Sequence, residues 1–351
     1  MRSGTLLEQP VPNHVHIPSH FPATAHLRGI LEIAVEHVPA HQSVVVSDKR
    51  SPLACLLADG YAQCLPSTRA LDFDDMTLSQ LMDVLGRLRP GDLVVMLQST
   101  SFRLEDFRIR VELFKRGLKV IEHPRLARMK ADEYETYFES LAYDPSYYRR
   151  IGPALKRCLD GAETLAIETG GGNRLECASP LESARLNVGD YAGMANIGGQ
   201  FPIGEVFTES KDLEAVNGSV QVFAFGDTSF CVNVPEQPLT LTIRSGKVVD
   251  VADSTPAFDS LLTQIRADEE PWIREVGFGL NRAFTRDRRV SDVGTYERMC
   301  GVHLSLGAKH GMYAKPQLKR NEGKYHIDLF VSTTKVLVND TNLFEDNQWC
   351  P

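Results

Sequence analysis

The stretch Lys324–Val331, KYHIDLFV, alternates apolar and polar residues. That period reads as a β-strand, in which residues two apart share a face. His326 and Asp328 therefore stand side by side. Locally the pair fits either of two readings, a His–Asp hydrogen bond on a solvated face or two ligands on one metal ion. Further chemistry-bearing residues lie upstream. Glu205 follows a Gly-rich turn in NIGGQFPIGEVFTES, and Glu275 sits among apolar residues and glycines in IREVGFGLN. TYERMCGVHLSLGAKHGMY holds Glu297, His303, His310 and Tyr313. Each alone is an ordinary structural hydrogen bonder. Together they set carboxylates and imidazoles in apolar segments, where isolated charge is costly unless paired or metal-bound. Oxygen and nitrogen donors of this kind suit zinc, cobalt or manganese.

The elements that must position these residues fall into two halves. From about 23 to 160, SVVVS (43–47), LVVMLQ (93–98) and LKVIEH (118–123) read as buried strands. Between them LSQLMDVLGRL (78–88) and FRIRVELFKRG (107–117) show helical spacing. Strand–helix alternation implies an α/β domain with a mainly parallel sheet. No Gly-rich nucleotide fingerprint follows the first strand. The aromatic stretch EYETYFESLAYDPSYYRR reads as helical core or subunit interface. From 161 to 351 short strands alternate with turns, and IRSGKVV marks a hairpin through Ser245-Gly246. GGGN (170–173) follows a strand with no helix signal behind it, so it reads as a tight turn rather than a phosphate cradle. This half is a β-rich α+β domain. Residues 1–22 read as an irregular arm, and its histidines, His14, His16 and His20, lack supporting acids or cysteines.

The totals bound the function. The chain has 351 residues, 42% apolar and 24% charged, with a net charge of −8. That is ordinary globular composition, with length for about two domains. There is no basic run to hold a nucleic acid and no apolar run to span a membrane. Seven scattered cysteines with no CxxC pair suggest buried, reduced thiols and a cytoplasmic protein.

The segments around these residues resemble the M29 metallopeptidases, also called aminopeptidase T or S. PIGEVFT is similar to the family's Pro-x-Gly-Glu-Val-Phe segment, REVGFG to its second ligand segment, ERMCGVHLSLG to its Glu-Asn…His-x-Ala-Leu-Gly segment, and HIDLFVS to its His-x-Asp pair. Order and approximate spacing agree across about 125 residues. The resemblance implies an α/β domain followed by a β-rich catalytic domain that binds two divalent metal ions. It makes Glu205, Glu275, His303, His326 and Asp328 the metal ligands and Glu297 a general base. Glu297 stands six residues before His303, one more than in the family. The family's tyrosine, seven residues after the ligand histidine, is His310 here, and Tyr313 comes three later. Either would polarise the substrate carbonyl. The implied reaction is cleavage of an amide bond next to a free amino group in a small peptide, by a homodimer.

A sister group, the 2,5-dihydroxypyridine 5,6-dioxygenases, shares this architecture and holds one Fe(II) by two histidines and an aspartate. Its position matching Glu275 is a histidine, so Glu275 directs this sequence to the two-metal hydrolytic version. A non-catalytic relative that binds a small molecule or a protein is the third reading.

Overall fold

Continuous apolar runs need cover on both faces, and three of them build the first sheet. The computed structural model describes residues 23–104, 107–318 and 323–351; the arm at 1–22 and its histidines lie outside the described residues. Strands β1 (Ser43–Ser47), β2 (Arg69–Asp72), β3 (Leu93–Leu97), β4 (Lys119–His123) and β5 (Gly198–Gln200) form a parallel sheet in the order β5-β4-β3-β1-β2. On one face Val44, Val46, Val94, Met96 and Val120 pack with Leu81, Leu85, Ile109 and Leu113 from the helices Leu78–Gly86 and Ile109–Lys115. On the other, Val45, Val95 and Ile121 pack with Leu53, Leu57 and Tyr61 from the helix Pro52–Cys64. That helix and β2 lie outside the sequence reading, although Ser51-Pro52 is a helix-start signal: the Ser51 hydroxyl accepts from Ala54 N at 3.1 Å.

The helix Pro145–Asp160 closes this half, and the strand Leu165–Thr169 opens the second sheet. The aromatic stretch supplies core: Tyr137, Phe138 and Tyr148 are buried. The chain then returns, because β5 pairs with β4 in the first sheet. Its Gly198 has φ +105°, and a Cβ there would meet the Val120 carbonyl oxygen at 1.9 Å, so glycine alone permits the contact.

The second sheet has 14 strands and is antiparallel in all its described strand pairs. Its centre runs β6 (Glu205–Glu209), β8 (Ile273–Gly279), β9 (Gly301–Leu306), β10 (Ile327–Val331) and β7 (Val216–Gly226). Strands Leu239–Arg244 and Lys247–Ala252 form the expected hairpin, with Ser245 and Gly246 at positive φ. Gly170–Gly172 is a 3-10 turn between two antiparallel strands, as its sequence implies. All seven cysteines are free thiols. Cys177 is buried, but Cys231 and Cys350 are exposed, against the expectation of buried thiols. Among the described residues no helix is long and apolar enough to cross a membrane.

His123 ends β4 inside the core, with the Tyr61 and Tyr137 hydroxyls each 2.8 Å from a ring nitrogen. Burial lowers its pKa from 6.5 to about 3. The folded chain therefore refuses a proton that the unfolded chain takes below about 6.5. Stability is full above that pH and falls as pH drops towards 3, by about 1.4 kcal/mol per pH unit. Urea unfolding at several pH values should show this acid-side slope. His123→Gln should be less stable at neutral pH yet lose that share of the slope; an unchanged slope would remove His123 from the account.

Candidate metal centre and cleft

Register on one sheet face brings the site together. On β6, Glu205, Phe207 and Glu209 stand opposite Gly279, Gly277 and Glu275 of β8. Gly277 faces His303 of β9, and Ser305 of β9 faces Asp328 of β10. Alternation puts all of these on a single face. Gly277 matters most: a Cβ there would meet the His303 ring at 2.0 Å, so the imidazole lies flat over this position. Gly277→Ala should push the ring aside and weaken metal binding about 10–100-fold, the usual cost of disturbing a ligand's support. Metal titration of the folded variant checks this; unchanged affinity would place His303 outside the metal site.

Glu205, Glu275 and His303 are buried, and one ligand atom from each lies within 4.8 Å of the others. His303 Nε2 is 3.5 Å from Glu205 Oε1 and 3.6 Å from Glu275 Oε1. Donors held at about 2.1 Å around a tetrahedral ion stand about 3.4 Å apart, so the spacing fits. His303 Nε2 and Asp328 Oδ1 are buried without a hydrogen-bond partner. Buried polar atoms seldom stay unpaired, and here both aim at the same face. These residues fit a divalent ion.

The second pair adjoins it. His326 Nε2 is 3.2 Å from Asp328 Oδ1, within ion-pair range but without hydrogen-bond geometry. His326 Nδ1 donates to the Lys309 carbonyl at 3.0 Å, which leaves Nε2 free as a ligand atom. His326 itself precedes β10, which begins at Ile327.

Electrostatics follow from burial and this crowding. Burial raises the Glu205 carboxyl, partly offset by Arg298 and His303. Burial alone would raise Glu275 too, but the imidazoles of His303 and His310 outweigh it and hold the carboxyl well below its usual range. Burial would lower His326, yet Asp328 and Glu275 push it up to about 9. Burial also opposes a charged His303, but the surrounding carboxylates raise it on balance.

The catalytic candidates are arranged differently from one another. His310 Nε2 donates to Glu275 Oε2 at 2.6 Å, and its Nδ1 accepts from Met312 N at 3.4 Å. Tyr313 stacks on His310, with centroids 5.4 Å apart, but its hydroxyl donates to the Ser183 carbonyl at 2.8 Å. Tyr313 thus turns its ring, not its oxygen, to the site. Glu297 caps the helix Val293–Tyr296 and pairs with Arg298. Arg298 is buried and stands 3.6 Å from Glu205 Oε2. It lies five residues before His303, and Arg298 rather than Glu297 is the side chain that meets Glu205.

Four supporting residues escape sequence reading. The Ser305 hydroxyl accepts from Glu275 N at 2.9 Å. Arg274 forms a buried ion pair with Glu209 and donates to the carbonyls of Ala308 at 2.7 Å and Tyr313 at 3.0 Å, which ties down the loop that carries His310. The available signal was Arg274 itself, a charge set in the apolar run of IREVGFG. Glu209 has a similar setting in EVFTE, whereas Ser305 and Arg298 carry no such mark.

A cleft of about 960 Å³ opens between the two halves. One wall carries Glu275, His310 and His326; the other carries Gln98, Ser99, Arg125 and Arg128, from the carboxyl ends of β3 and β4. This is where ligands sit in parallel α/β sheets.

A scan against protein-family models finds no matching model, and a search of curated proteins finds no match. Seven chains of solved structures are similar, and two are described. One is 2,5-dihydroxypyridine dioxygenase from Pseudomonas putida KT2440, at 14% identity and TM-score 0.63, covering 95% of this chain and 98% of that one. The other is wild-type AmpT from Thermus thermophilus, at 13% identity and TM-score 0.56, covering 93% and 98%. At these identities the likeness shows a shared fold along nearly the whole chain.

Proposed function

We propose that this chain is a metal-dependent hydrolase of the M29 aminopeptidase type. It cleaves an amide bond next to a free amino group in a short peptide or peptide-like small molecule. The observation that carries the reading is the buried Glu205–Glu275–His303 cluster beside His326–Asp328, with His303 Nε2 and Asp328 Oδ1 unpartnered and with Glu275 and His326 lining the cleft. Similarity in fold to AmpT supports it. Glu275 turns Oε1 towards His303, where it would help to hold a divalent ion, and accepts from His310 Nε2 at Oε2. Two divalent ions held here would supply Lewis acidity and lower the pKa of water.

The remaining work belongs to the chain. His310 lines the cleft and holds a proton at Nε2, where it can pass it to the leaving amine. Glu209 Oε2 stands 3.9 Å from Nδ1 on the far side of the ring. Arg298 ties Glu297 to Glu205, so we give Glu297 a positioning role through that arginine.

A second reading has an observation of its own. The His310 and His326 rings are 6.0 Å apart beside Asp328, a two-histidine, one-carboxylate set of the kind that holds Fe(II) for dioxygen chemistry. The test is metal analysis of protein purified without added metal, then turnover of aminoacyl chromogenic substrates under nitrogen and in air. Turnover lost on chelation, restored by zinc, cobalt or manganese and equal under both gases is expected. Iron in the purified protein, with dioxygen uptake matched to substrate loss, would sink the hydrolase.

A further inference from the structure

The wall of the cleft that faces the carboxylates is cationic, and one of its cations is spare. Arg125 and Arg128 follow β4 directly and both line the cleft. Both reach towards the buried Asp292, Arg128 Nη1 at 3.0 Å and Arg125 Nε at 3.6 Å. The other oxygen of Asp292 already accepts from Thr295 N and Oγ, each at 2.9 Å. One carboxylate thus faces two guanidinium groups. Among the described residues the Arg125 side chain makes no hydrogen bond, and its Nε is buried without a partner. Neighbouring charges do not correct this. Arg110 is matched by Glu122 and Lys324 by Asp268, and Asp227, an anion of the same lining, accepts from Ser229 N, Cys231 N and Asn233 and not from Arg125.

The backbone holds this cation in place. Arg125 has φ +59°, a left-handed conformation that is costly for a side chain of its kind. It is kept there by bonds to the end of β3: Arg125 N to Thr100 O at 2.9 Å, Leu126 N to Gln98 O at 2.9 Å and Ala127 N to Ser99 O at 3.0 Å. The strained turn sets in the lining of the cleft a guanidinium that makes no hydrogen bond among the described residues, with its Nε turned to Asp292 at 3.6 Å. A guanidinium of this kind matches a carboxylate in charge and geometry.

We propose that Arg125, assisted by Arg128, is a subsite for a carboxylate at the end of the substrate away from the scissile amide. The subsite rests on the hydrolase reading only for what is cleaved, and not for the anion itself. The substrate is then a dipeptide-sized molecule with a free carboxylate, for which a cleft of 960 Å³ has room. Such a substrate spans the cleft, with its amide over Glu275 and His310 and its anion on Arg125.

The experiment uses zinc-loaded protein and two ligands, N-acetyl-alanyl-alanine and its carboxamide, whose blocked amino group prevents cleavage. Calorimetry should show the acid binding about 10-fold or more tighter than the amide, the worth of one charge-assisted hydrogen bond. Arg125→Gln should bring the two affinities together, and Arg125→Lys should leave an intermediate preference. Equal affinities in the wild type, no binding of either ligand, or a preference that survives Arg125→Gln because the metal holds the carboxylate would each overturn the proposal. If Arg125→Gln fails to fold, Arg128→Gln takes its place and should narrow the ratio. Cleavage of unblocked alanyl-alanine is followed in parallel. Acid preference that depends on Arg125, without any cleavage, keeps the subsite and removes the hydrolase.

Discussion

Glu275→Ala protein is expected to hold metal at least about 100-fold more weakly than the wild type and to lose amide-cleaving turnover with it. The size follows from position. Outer-shell partners of a metal ligand usually cost 10–100-fold in affinity. Glu275 would be a ligand through Oε1, 3.6 Å from His303 Nε2, while its Oε2 accepts from His310 at 2.6 Å. Its removal also takes a neighbouring carboxylate from two buried imidazoles. Metal content after dialysis, measured beside far-UV circular dichroism, checks the claim. A folded variant with unchanged metal stoichiometry would remove Glu275 from the ligand set. Loss of one equivalent with retention of another would assign Glu275 to a single ion.

The contrast between what was legible in the sequence and what was not has physical causes. Strands buried on both faces announce themselves as apolar runs, and 43–47 and 93–97 appear in the structure at those positions. The helix at 52–64 was missed because its apolar residues form no sharp stripe; only its start carried a signal. The return of β5 to the first sheet had no signal beyond Gly198-Gly199, since a three-residue strand carries no period. The polar residues of this sheet face were legible because charges in apolar strands are conspicuous. Their relations were not, because they depend on register between strands far apart in the chain. Glu205 and Glu275 share a face only because Glu205 pairs with Gly279. The same limit explains the reading of Glu297. Spacing along the chain put it near the site, but the turn before β9 presents Arg298 to Glu205 instead.

His310→Ala should lower turnover by about 10²–10⁴ while metal content stays near that of the wild type, the range for a lost proton-transfer group. The geometry gives His310 two conceivable tasks, because Nε2–H is both a proton to donate and a dipole to polarise a carbonyl. These tasks separate in a second variant. Glutamine keeps an N–H donor but cannot transfer a proton. If proton transfer to the leaving amine is the task, His310→Gln should be as slow as His310→Ala. If polarisation is the task, His310→Gln should recover most of the turnover, since one such donor is worth about 10²–10³. We expect no recovery, because Nε2 holds its proton against Glu275 at 2.6 Å in the lining of the cleft, a position suited to handing it on. Substrates with better leaving groups decide the matter independently. A leaving group that needs no proton should narrow the gap between wild type and both variants. A gap that ignores the leaving group would assign His310 to orienting Glu275 alone.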